Sequence, residues 1–164
     1  LAINRATRKT RMRMNKLLAL EASMDDELDF ERWESAVGKI VMSLSRVEGE
    51  LLIKYQSHFS KNKYFKDSFK ERLARIQELY NNECGINLLA TSLFEQVSDD
   101  IEYRNLVAHN PVYADMSGEF LKFKVSTLKS DGISIDLPEL ECEAKRIWSS
   151  CIDFTVLLRV WAKV

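Results

Sequence analysis

Proline is almost missing from this chain: Pro111 and Pro138 are the only two among 164 residues, and there are five glycines. So few breakers leave long periodic stretches uninterrupted, which favours helices. Cysteine is scarce too. Cys84, Cys142 and Cys151 are an odd number without C-x-x-C spacing, which argues against a disulfide framework and against a structural zinc site, and suits buried or incidental thiols in a reducing compartment. No run of about 18 apolar residues occurs, so the chain contains no complete membrane-spanning helix. Charge of one sign is lacking as well. A net charge of -1 excludes a whole-molecule polyelectrolyte binder, so any nucleic-acid surface must be a local patch. What remains is 46% hydrophobic and 30% charged, ordinary for one globular domain long enough to bury its own core.

Charge is nevertheless segregated at the start. Arg5, Arg8, Lys9, Arg11, Arg13 and Lys16 come with no acid among them, and Asp25, Asp26, Glu27, Asp29, Glu31 and Glu34 then reverse the sign. Residues 1–29 therefore read as an N-terminal arm, partly helical and folding back on its acidic stretch. A second reading takes the chain, which begins at Leu1, as a fragment whose basic cluster is a cytoplasmic juxtamembrane segment; a third has the arm touch RNA directly. Residues 30–164 carry the domain.

Within it, Trp33, Val37, Ile40, Val41, Leu44, Val47, Leu51 and Tyr55 recur at three and four, predicting a first helix over residues 30–59. Gly38 and Gly49 weaken it, which hints at close packing or a bend. After a polar connector at residues 60–63, a second helix is expected over 66–81. A third over 86–108 turns Ile86, Leu89, Ala90, Leu93, Val97 and Ile101 inward. The period then falls to two: Leu121, Phe123 and Val125, a turn at Ser130-Asp131-Gly132, then Ile133, Ile135 and Leu137, a β-hairpin. Pro138 and Glu139, Glu141 and Glu143 suit the opening of a last helix. The expected fold is all-α, four main helices with a short β-hairpin inserted before the last.

The chemistry-bearing stretch is Tyr103-Arg104-Asn105-Leu106-Val107-Ala108-His109-Asn110-Pro111. At about 100° per residue, Asn105 and His109 share a helix face while Arg104 and His109 diverge by about 140°. Pro111 is expected to loosen the last turn around His109 and free the imidazole to swing toward the arginine. Asp99, Asp100 and Glu102 read as a solvated face that helps hold Arg104. His58 reads as structural or incidental.

Arg104, Asn105 and His109, late in a helix of a compact helical domain, resemble the RNxxxH signature of the HEPN superfamily, small helical bundles that include many dimeric, metal-independent endoribonucleases. That resemblance, which involves the chain from about residue 30 onward, implies an enzyme of toxin or antiphage-defence type with no cofactor and no metal. RNA is its substrate, and a homodimer pairs two motif-bearing helices into one composite site. In such a site the substrate 2′-hydroxyl is the nucleophile. His109, at the negative pole of its helix, suits proton transfer. Arg104 gathers the phosphate charge, and Asn105 orients the imidazole or holds the phosphate. Tyr103 and Tyr113 are candidates for base stacking or equally for core packing, and Lys61 and Lys63, with Lys66, Lys70 and Arg72, for a basic rim or simply a solvated run. An antitoxin or regulatory protein is a further partner the resemblance implies. The expected location is cytoplasmic, or the cytoplasmic face of a membrane reached through the N-terminal segment. The alternative is a catalytically inactive HEPN-like module that dimerises or binds a protein; a small-nucleotide-binding regulatory domain is a weaker one.

Overall fold

The protein is described here from a computed structural model that covers the backbone of residues 2–109, 112–115, 122–127 and 130–161. Side chains are described over 29–60, 62–109 and 133–161, and at Val125. Five helices and three strands follow in the order α1 (Ala2–His58), α2 (Lys61–Lys66), α3 (Phe69–Cys84), α4 (Leu88–His109), β1 (Val112–Asp115), β2 (Lys122–Thr127), β3 (Ser130–Ile135) and α5 (Leu137–Trp161). The all-α bundle with a small β insertion before the last helix is as expected.

The core grows from one row on α1. Trp33, Ala36, Ile40, Leu44, Val47, Leu51 and Tyr55, spaced at three and four, are all buried. They meet a matching row on α5, from Leu140 and Ala144 through Ile147, Cys151 and Phe154 to Leu158 and Trp161. The two helices run parallel in constant register. Arg32 hydrogen-bonds Glu141, and Arg159 hydrogen-bonds Glu50, each pair 109 residues apart in sequence. Between them Lys39 Nζ lies 5.6 Å from the centroid of Trp148. α4 runs the opposite way, since Phe94 meets Phe154 edge-on at 4.9 Å while Asp100, further along, reaches back to Ser150 and Arg146. With α3 beside it, α4 forms a second layer over the α1/α5 pair. The strands make one antiparallel sheet in the order β1-β2-β3, and Val125 and Ile135 enter the core.

Local chemistry sets the boundaries, and several differ from expectation. α1 is unbroken from Ala2, so residues 1–29 are not an arm folded back on itself but, from Ala2 on, the first half of the same helix. Nothing stands within 4 Å of a Cβ built at Gly38 or Gly49, so neither marks close packing inside the chain. The connector after His58 contains the short α2. α3 starts at Phe69 rather than 66 because Ser68 caps it: its hydroxyl accepts the Glu71 amide, and the Glu71 carboxylate accepts the Ser68 amide. Gly85, at φ 79, ends it in a conformation that other residues avoid. α4 starts after Asn87, whose Oδ1 accepts the amides of Leu89 at 2.9 Å and Ala90 at 3.2 Å. That cap turns Ile86 and Leu89 outward, at 83% and 79% exposure, where the periodicity had them inward.

The hairpin gained a strand, β1, in a four-residue stretch too short to declare a period. Ser130-Asp131-Gly132 lies in β3, not in a turn, because Thr127 already pairs with Ser130 across a two-residue connection. Leu137 belongs to α5, opened by Asp136, whose Oδ1 accepts the Glu139 amide at 2.8 Å. Leu121 lies outside the described residues.

One polar contact ties α1 to the start of α3. The Tyr55 hydroxyl donates to Asp67, which also accepts from Arg75 at 2.9 Å. Burial and the bond to Asp67 push the phenol up to about 12, and the same hydrogen bond, with Arg75, holds the Asp67 carboxyl below its ordinary value. A depressed carboxyl contributes stability above its unfolded pKa, near 4, and loses that contribution as pH falls through the folded value. Tyr55→Phe should therefore lose less stability than wild type between about pH 5 and pH 2 in urea titrations; parallel acid limbs would refute the linkage.

Candidate functional site at the exit of α4

The residues of the motif sit on the last two turns of α4, and the structure gives them unequal environments. Arg104 is half-buried and Asn105 and His109 are exposed. Arg104 donates to Asn105 Oδ1 from Nη2 at 2.9 Å and from Nε at 3.3 Å, which fixes the guanidinium against the neighbouring amide. The same guanidinium lies 5.8 Å from the ring centroid of Phe69, the first residue of α3. α4 stays helical through His109, so the expected loosening around the imidazole is not found. Arg104 and His109 keep the divergence of about 140° that helical geometry imposes, while Asn105 and His109 share a face one turn apart. Asn110 and Pro111 lie outside the described residues.

The acidic group before the motif does not behave as one solvated face. Asp100 is completely buried, accepting from Arg146 Nη2 and from the Ser150 hydroxyl, both at 2.6 Å. Arg146 also holds Glu143 at 2.8 Å. Burial works against the charge on Arg146, but its bonds to Asp100 and Glu143 outweigh this and raise its pKa. Glu102 is taken by Lys70, and Asp99 is exposed. The expected role of these acids in holding Arg104 is therefore filled instead by Asn105. The physical reason is phase: Asp100 falls between Val97 and Ile101 on the buried side, facing α5. That position was readable, since an acid in step with an apolar row needs a buried partner, and Arg146 and Ser150 stand four apart beside Ile147 on the last helix.

Among the described residues, the remaining candidates are engaged with other partners. Tyr103 is half-buried, with its ring packed against the core; burial first, then Glu143 and Glu139, push its phenol up to about 12. Its hydroxyl has no hydrogen-bond partner among the described residues. Lys63 stands 5.3 Å from the ring of Phe59. Tyr113 is paired with Lys124 in the sheet, while its side chain and that of Lys61 lie outside the described residues. The expected basic rim is largely neutralised. Arg72 is buried and bonded to Glu48 and the Tyr64 carbonyl, and Lys70 is paired with Glu102. His58 stacks parallel to Trp161 at 6.3 Å and approaches Glu83 at 3.9 Å, a structural setting. Among the described residues no helix is long and apolar enough to cross a membrane.

No family model, curated protein or solved structure matches this chain. The functional reading rests on the residues themselves and on the bundle that carries them.

The Asp100–Arg146 pair is the polar tie between α4 and α5. Arg146→Ala leaves a buried carboxylate without its cation and should lower unfolding free energy by about 3 kcal/mol in urea titrations. Arg32→Ala, at a pair exposed to solvent, should cost far less. Equal losses in the two variants would contradict the burial argument.

Proposed function

We propose that this protein is a metal-independent endoribonuclease of HEPN type, acting as a homodimer whose site combines Arg104, Asn105 and His109 from two copies. The observation that carries the reading is the pairing at the exit of α4: an imidazole open to solvent, one turn from an amide that already grips the only arginine of the motif. The ribose 2′-hydroxyl attacks the adjacent phosphorus while a base accepts its proton. Charge builds on the non-bridging oxygens, where a guanidinium can bridge two of them. The 5′-oxygen leaves on receiving a proton. His109 serves one of the two proton transfers, and the products are a 2′,3′-cyclic phosphate and a 5′-hydroxyl.

Divergence of Arg104 and His109 on one helix is what favours a shared site. A single copy offers the phosphate a cation on one side of α4 and a proton carrier on another, whereas two facing exits supply both to the same phosphate. The role in defence or as a toxin, the participation of an antitoxin, and a place in the cytoplasm or against a membrane through the basic residues of 1–16 belong to this same proposal.

A second reading has one observation in its favour: Arg104 is half-buried and already bonded, as in a module that keeps the motif for shape and uses it to dimerise or to bind a protein. Activity separates the two. Purified protein in EDTA should cut single-stranded RNA to cyclic-phosphate ends, and Arg104→Ala or His109→Ala should each lower the rate at least about a hundredfold without altering the circular dichroism spectrum. Wild type that leaves every RNA intact, or variants as active as wild type, would favour the binding module or a contaminant.

A further inference from the structure

The two layers of the bundle differ on their outer faces. Along α3 and α4 the exposed positions include the acids Glu71, Glu78, Glu95 and Asp99, and the exposed apolar side chains of α4, Leu88 and Leu89, are confined to its first turn. The α1/α5 layer instead exposes Met42 at 69% and Ile53 at 66% on α1, and Trp148, Ile152, Val156 and Val160 at 37% to 58% on α5, each four residues after the last. Half of the large apolar side chains found exposed among the described residues lie on this one face.

α1 adds a second feature. On the side pointing away from the core, Gly38, Met42, Ser45, Gly49 and Ile53 form an exposed row with no charge, in a protein that is 30% charged. Glycine inside a helix weakens it, and nothing within the chain comes within 4 Å of either glycine's missing Cβ. The folded single copy therefore gives the two glycines no packing role.

Their positions fit a second copy of the same chain. If two α1 helices cross antiparallel about a two-fold axis near Ser45 and Arg46, Met42 falls opposite Gly49 and Gly38 falls opposite Ile53. Each large apolar side chain meets a hole, and the relation is reciprocal, as an isologous interface requires. The α5 row flanks the crossing on the same face. The patch from Gly38 to Ile53 is about 23 Å long and two helices wide, or on the order of 450 Å² per copy. Doubled, that falls below the range for stable interfaces and suits a weak, reversible contact between copies.

We infer that the outer face of the α1/α5 layer is a self-association surface, on which a second copy docks antiparallel with Met42 and Ile53 seated over Gly49 and Gly38. This contact is separate from the proposed nuclease pairing and does not rest on it. α4 packs on the inner side of the α1/α5 layer, so docking through the outer side leaves the two α4 exits roughly 30 Å apart, at 8–10 Å per packed helix layer. A chain that used both surfaces would assemble beyond a dimer.

Sedimentation velocity of the full 164-residue chain tests this. The double variant Gly38→Leu/Gly49→Leu fills both holes with a better helix former in open space, so its thermal midpoint should hold or rise while self-association weakens roughly tenfold or more. Ile152→Lys should act the same way from α5, and Arg104→Ala should not. In a Cys84→Ser/Cys142→Ser background, Ser45→Cys chains should form a disulfide-linked dimer on mild oxidation, because the two-fold axis brings the two sites together. A wild-type chain that stays monomeric throughout, an assembly indifferent to the glycine and Ile152 variants, or Ser45→Cys chains that do not cross-link would each overturn the proposal. A monomer would assign the face to another partner.

Discussion

Everything else in the fold hangs on the parallel register of α1 against α5. Parallel helices adjacent in space cannot be joined by a short turn, so α2, α3, α4 and the strands are the return path, and they form the layer that covers the buried row. The register is fixed mainly by apolar interdigitation, with Ile40, Leu44, Val47 and Leu51 fully buried against Ile147, Phe154 and Leu158. The charged pairs at either end, Arg32–Glu141 and Glu50–Arg159, are exposed on at least one side and fasten the register more than they stabilise it. Because α4 packs antiparallel to α5 within this frame, its C-terminus emerges beside the start of α3, and that is how Arg104 comes to lie over Phe69.

Much of this was legible in the sequence because the signals were local and periodic. The apolar rows of α1, α3 and α5 announce themselves at three and four, and Pro138 behind Asp136 marks the start of α5. Less was legible where one residue decided a boundary. Asn87 capped α4 and turned Ile86 and Leu89 outward, overriding the hydrophobicity that had placed them in the core. β1 had too few residues for an alternation to register. A run of basic then acidic residues looked like an arm, yet such a run is no obstacle to helical backbone, and α1 continues through it from Ala2.

At the site the same distinction holds. The sharing of one face by Asn105 and His109 follows from spacing alone. The fate of Asp100 does not, because its partners, Arg146 and Ser150, are 46 and 50 residues away in sequence. That one long-range cluster removed a carboxylate from the surroundings of Arg104 and left Asn105 as its neighbour. The result is a motif whose cation is oriented and whose imidazole is open, with the two directed apart, and the shared site proposed above would bring them to one phosphate.

Mixing tests that central claim most directly. Chains carrying Arg104→Ala and chains carrying His109→Ala, each inactive alone, are co-expressed and assayed together on RNA in EDTA. If the arginine of one copy works with the histidine of the other, a wild-type dimer holds two such pairs across its composite cleft and a mixed dimer keeps one, so with half of the dimers mixed activity should return to roughly a quarter of the wild-type level. A mixture as inactive as its two components would contradict the shared site.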